Sequence, residues 1–128
     1  MIGTISMKFR TILIVTLFFA ALALCAAPRA KQTPKLITVT AGRFSFEPNE
    51  ITVKKGEEVT LVLQSSDVIH GLLIEDLGVR TEIKKGQSAT VTFTPDAAGT
   101  FEGKCSHFCG KGHGSMTFTV HVTDLGTP

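Results

Sequence analysis

The chain is 128 residues long, which leaves room for one domain with an appendage and is too short for two. Hydrophobic residues make up 43% and charged residues 19%, a profile that excludes an intrinsically disordered chain. The formal charge is +2, and once the N-terminal Lys8 and Arg10 are set aside eleven basic residues face eleven acidic ones, leaving no surplus to attract nucleic acid or anionic lipid.

Lys8 and Arg10 precede an apolar run of 17 residues, Thr11 to Ala27, that ends in small residues. A short basic region followed by such a run reads as a secretory signal peptide over residues 1–27. Its length also reaches the lower limit for a membrane span, so a retained N-terminal anchor, with membrane attachment through residues 11–27, is the alternative. Either reading puts the folded part outside the cytoplasm, in the periplasm or its equivalent. Residues 28–35, polar and with two prolines, read as a linker.

From Leu36 the pattern is that of strands. Segments 36–40, 43–46, 50–53, 59–64, 70–74, 80–83, 88–94, 100–104 and 116–122 are short and rich in β-branched residues, and several alternate apolar and polar positions. Turn residues separate them, among them Pro48-Asn49, Lys54-Lys55-Gly56-Glu57, Lys84-Lys85-Gly86-Gln87 and Pro95-Asp96. The two Lys-Lys-Gly sequences read as hairpin turns. The expectation is an all-β sandwich or small barrel of roughly seven to nine strands over residues 36–122, with a C-terminal tail at 123–128. There is no Trp or Tyr, so the aromatic bulk of the core falls to Phe44, Phe46, Phe93, Phe101, Phe108 and Phe118. His121 alternates with Val120 and Val122 and is expected to face solvent without a role.

Chemistry concentrates in residues 105–116, Cys-Ser-His-Phe-Cys-Gly-Lys-Gly-His-Gly-Ser-Met. Gly110, Gly112, Gly114 and Ser115 make it a tight loop, and it holds every cysteine and methionine outside residues 1–27. Thiolate and thioether sulfur with imidazole suits copper, whereas zinc sites rarely use Met. The order Cys109, His113, Met116 is that of a copper electron-transfer loop, which needs a second histidine from elsewhere; His70, at a turn-to-strand junction, is the candidate. The competing reading of Cys105 and Cys109 is a structural disulfide, as an oxidising compartment allows. Such a bridge would close a loop too small to stabilise much and would leave His113 and Met116 without a purpose.

The spacing Cys-x3-Cys-x3-His-x2-Met resembles the binuclear copper A loop of cytochrome c oxidase subunit II and of nitrous oxide reductase, nearer the oxidase subunit. Ser66-Asp67-Val68-Ile69-His70, Leu77-Gly78-Val79 and Gly103-Lys104-Cys105-Ser106 continue the likeness. The resemblance implies a cupredoxin fold, a Greek-key β-barrel. It also implies a ligand set for two copper ions: Cys105 and Cys109 bridging both, His70 and Met116 on one, His113 and the backbone carbonyl of His107 on the other. Position 107 is Glu in the oxidase subunit, and the paired transmembrane helices and the Trp used there for electron entry are absent, so a free-standing or singly anchored carrier is implied and not a core oxidase subunit.

The function expected is that of an extracytoplasmic electron carrier, not an independent enzyme, exchanging electrons with redox proteins such as a cytochrome c or a terminal oxidase or reductase. The alternatives are a mononuclear blue-copper carrier using His70, Cys109, His113 and Met116, and a copper-delivery or copper-holding protein.

Overall fold

The computed structural model describes residues 30–124. The expected signal or anchor at 1–27 and the last four residues of the tail lie outside them. Among the described residues no helix is long and apolar enough to cross a membrane. Nine strands follow one another: β1 (Lys35–Gly42), β2 (Ser45–Glu47), β3 (Glu50–Lys54), β4 (Val59–Ser65), β5 (His70–Ile74), β6 (Val79–Ile83), β7 (Ala89–Phe93), β8 (Gly99–Lys104) and β9 (Thr117–Thr123). Single 3-10 turns lie at Glu75–Leu77 and His113–Ser115.

The strands form two sheets, ordered β2-β1-β4-β7 and β3-β9-β8-β5-β6. Most neighbours are antiparallel, but β1 runs parallel to β4, from Lys35↔Val59 to Ala41↔Ser65, and β3 parallel to β9, from Glu50↔Thr119 to Lys54↔Thr123. This is the cupredoxin-type Greek-key sandwich expected of the sequence. Its period-2 patterning appears directly as burial: Ile51 and Val53 of β3, Val59, Leu61 and Leu63 of β4, and Phe118, Val120 and Val122 of β9 point into the core while their neighbours face outward. Phe46 and Phe118, one from each sheet, meet edge to face with ring centroids 5.8 Å apart.

Three expectations need correction. Segment 43–46 is not one strand: Arg43 and Phe44 form the turn between β1 and β2. The Lys-Lys-Gly turns are not hairpins. Each has the i→i+3 hydrogen bond of a β-turn (Glu57 N–H to Lys54 O, 3.1 Å; Gln87 N–H to Lys84 O, 3.3 Å) with its glycine at φ 77°, a type II geometry. The strands they join, β3 with β4 and β6 with β7, lie in different sheets, so both turns are corners between layers. The aromatic core is also smaller than expected. Phe46, Phe93 and Phe118 are buried and Phe101 packs against the core partly exposed, whereas Phe44 and Phe108 are outside at 38% and 75% exposure. His121 faces outward on β9, within 3.3 Å of Thr100 and of Glu50.

Candidate metal centre

The site lies at the end of the sandwich where β5 begins and β8 gives way to β9. His70 is the first residue of β5, Cys105 directly follows β8, and Met116 directly precedes β9. The long loop is tied at its neck by the Cys105 N–H donating to the Met116 carbonyl, 3.0 Å. Inside it, His113, Ser115 and Met116 donate their N–H groups to the carbonyls of Gly110, Gly112 and His113, winding the second half into one 3-10 turn. Gly110 has φ 137°, open to glycine and strained for other residues.

All the candidate residues come together. The Cys105 and Cys109 sulfurs are 3.9 Å apart. His70 Nδ1 lies 3.9 Å from Cys105 Sγ; His113 Nδ1 and Met116 Sδ each lie 3.9 Å from Cys109 Sγ. The His107 carbonyl accepts from the Cys105 thiol at 3.2 Å, while its ring turns outward to Glu82, Nδ1 to Oε2 3.5 Å. The donor atoms of His70, Cys105 and Cys109 fall within 4.8 Å of one another. His113 stands beyond that triplet, against Cys109. His70 and Met116 are fully buried and the two cysteines nearly so.

The surroundings fix the imidazole of His70. Asp67, three residues earlier in the β4–β5 turn, meets His70 Nε2 at 2.7 Å. Burial pushes the Asp67 carboxyl up, but hydrogen bonds from His70 and from the Arg43 and Val68 N–H groups outweigh it and hold the carboxyl at about 2. An ionised carboxylate there takes its hydrogen bond from Nε2, which leaves Nδ1 as the ring nitrogen that faces Cys105. Burial pushes the Cys109 thiol up, and the adjacent Cys105 adds to the effect.

Three supporting residues escaped the sequence reading. Asp67 had a legible signal, a carboxylate three positions before a candidate ligand, but no role was read from it. Arg43, whose Nε donates to the Cys109 carbonyl at 3.0 Å, had none, because 66 residues separate the two. Gly71 lets the loop lie on β5: a Cβ there would come within 2.3 Å of Ser106 Oγ and 3.1 Å of the His107 nitrogen. The donor chemistry fits copper: two buried thiols, a buried thioether, the buried imidazole of His70 and the half-buried one of His113, a sulfur- and nitrogen-rich set that suits a soft or borderline ion better than a hard cation.

A model of the cupredoxin-like domain family matches residues 12–118. Cytochrome c oxidase subunit 2 of Thermus thermophilus is 34% identical over 88 residues, 69% of this chain and 65% of the relative; a second form from the same species, at the same identity, is matched over 52% of its length. The chain therefore spans about half to two thirds of these relatives. Nitrous-oxide reductase of Stutzerimonas stutzeri is 38% identical over 90 residues, 67% of this chain and 14% of that protein. Among solved structures, the periplasmic domain of cytochrome oxidase subunit II (CoxB) of Bradyrhizobium japonicum superposes with a TM-score of 0.67 at 21% identity, covering 73% of this chain and 86% of that one. Auracyanin of Roseiflexus castenholzii superposes with a TM-score of 0.56 at 20% identity, covering 72% and 99%. At these identities the structures speak for the fold alone.

Proposed function

The chain belongs to the cupredoxin-like family, and from that premise we propose that it is an extracytoplasmic one-electron carrier with a binuclear copper centre. The observation that carries this reading is the pair of buried cysteine sulfurs 3.9 Å apart with an imidazole on either flank, His70 beside Cys105 and His113 beside Cys109. A single ion held by His70, Cys105 and Cys109 leaves His113 unused; two ions sharing both sulfurs use every donor. In this assignment Cys105 and Cys109 would hold both ions, with His70 and Met116 serving one and His113 and the His107 carbonyl the other. The copper pair, when bound, supplies a site that gains and loses one electron.

The protein's part is to hold that pair still. The ligands hang from strand ends and a hydrogen-bonded loop, so little nuclear motion need accompany a change of charge. Burial of Met116, His70 and the sulfurs keeps water from reorganising around them. The relationship to oxidase subunit 2 favours a partner within an oxidase or reductase system, such as a cytochrome c or the terminal enzyme, and a location outside the cytoplasm.

Metal analysis and paramagnetic resonance of the copper-loaded protein test the proposal. The expected result is two coppers per chain with the unpaired electron shared by both nuclei. One copper with an intense blue band would favour the mononuclear alternative, and failure to cycle reversibly by one electron would favour a copper-holding protein.

A further inference from the structure

The balanced net charge of the domain conceals a segregation that only the fold makes visible. The connections at the metal end, residues 43–44, 66–69, 84–88 and 105–116, carry Arg43, Lys84, Lys85 and Lys111 against Asp67 alone. The connections at the opposite end, 55–58, 75–78 and 94–98, carry Lys55 against Glu57, Glu58, Glu75, Asp76 and Asp96; the strand-terminal Lys35 and Lys54 add to that end and Lys104 to the metal end, which leaves the far end net negative and the metal end net positive. Asp67 is turned inward onto His70 and the backbone. Glu82, near the end of β6 on the metal side, sits 3.5 Å from both Lys84 and His107. Lys85 and Lys111 are exposed and form no ion pair among the described residues.

The same end carries the apolar exposure. Of the four large hydrophobic side chains exposed among the described residues, Phe44, Ile69 and Phe108 are here. Phe108 is 75% exposed, and its ring lies 5.7 Å from that of His113. A cavity of about 550 Å³ beside it is lined by Arg43, Ile69, Lys85, His107 and Phe108, among others. An apolar centre over a metal ligand, ringed by cations of which Lys85 and Lys111 form no ion pair among the described residues, has the anatomy of a docking site.

We infer that this face docks a redox partner whose own docking face is acidic around an apolar centre. The inference rests on the carrier reading above and adds the charge of the partner. Complementarity is the argument: a lysine-ringed partner would be repelled here and drawn to the far end, away from the metal. With both ends charged, the domain's dipole would turn the metal loop toward an acidic surface before contact. Phe108 would then place the partner against His113.

Two soluble c-type cytochromes serve as probes, one with carboxylates and one with lysines around its exposed haem edge. Binding to the copper-loaded full-length protein is followed by calorimetry with both partners oxidised, and electron transfer by stopped flow, each over increasing sodium chloride. The acidic cytochrome is expected to bind more tightly, with a rate that falls as salt rises. Lys85→Glu with Lys111→Glu should slow its association about tenfold, Lys55→Glu should not slow it, and Phe108→Ala should weaken binding with the copper spectrum unchanged. Tighter binding of the basic cytochrome, a rate with the acidic one that is flat or rises with salt, or indifference to the double reversal would overturn the inference. Failure of the carrier reading is separate: it would appear as an absent two-copper spectrum and no reduction by neutral hydroquinone, while calorimetry still reports which cytochrome docks.

Discussion

His107 and His113 occupy one loop and have opposite surroundings. The ring of His107 leaves the cluster for Glu82, and only its carbonyl faces Cys105. The ring of His113 lies on Cys109. In the proposed centre, His107→Ala should therefore keep both coppers and their shared-electron spectrum, while His113→Ala loses it; metal content and paramagnetic resonance of the two variants check this. A collapse in both would mean that the carbonyl assignment is wrong. The candidate donors were legible in the sequence because sulfur and imidazole are scarce in this chain and gather within twelve residues plus His70. Arg43 and Phe44 were not. Their alternation with Ser45 and Phe46 mimics a strand, and what places them under the loop is packing across the fold: a Cβ on Gly112 would meet the Phe44 ring at 2.4 Å.

At the scale of elements, the loop depends on how closely it can lie on β5. The Gly71 carbonyl accepts the Ser106 N–H at 3.3 Å, and the residue leaves no room for a methyl group, with backbone as well as a hydroxyl in the way. Gly71→Ala should push the Cys105–His107 stretch off the strand, weakening copper retention while the sheets persist. Competition with a copper chelator, compared with far-ultraviolet circular dichroism of the same sample, measures the two effects separately; unchanged retention would refute the close-contact argument. The strands themselves were readable to within a residue or two, since their apolar periodicity is local. The Lys-Lys-Gly corners show where local reading stops. Turn chemistry fixes a reversal of the chain, but whether the next strand joins the same sheet depends on partners far away: β1 and β7 for β4, and β4 for β7.

At the scale of the whole molecule, the two sheets are held face to face by a core in which Phe46 and Phe118 are the largest fully buried side chains. Phe118→Ala would remove an aromatic ring together with its edge-to-face contact with Phe46, and should cost about 3–5 kcal/mol, read as a lowered urea midpoint. A loss below about 1 kcal/mol would mean that the pair is peripheral to stability. Phe118 lies two residues beyond Met116, so the variant should also bind copper less well.

The position of β9 has a consequence for the order of events in the life of the chain. It is the last strand to be synthesised among the described residues, yet it lies inside its sheet, paired with β3 through contacts such as Glu50↔Thr119 and with β8 through contacts such as Thr100↔His121. Until β9 is in place, β3 has no partner in that sheet and β8 has only a single register contact with β5, Leu73↔Lys104. Pairings so distant in sequence form slowly. The segment from Cys105 to Met116 arrives just ahead of β9 and is pinned at its neck only when Met116 is in place. The neck of the loop and the sheet are thus completed together, so the donors from Cys105 to Met116 reach their folded arrangement only with β9 in place.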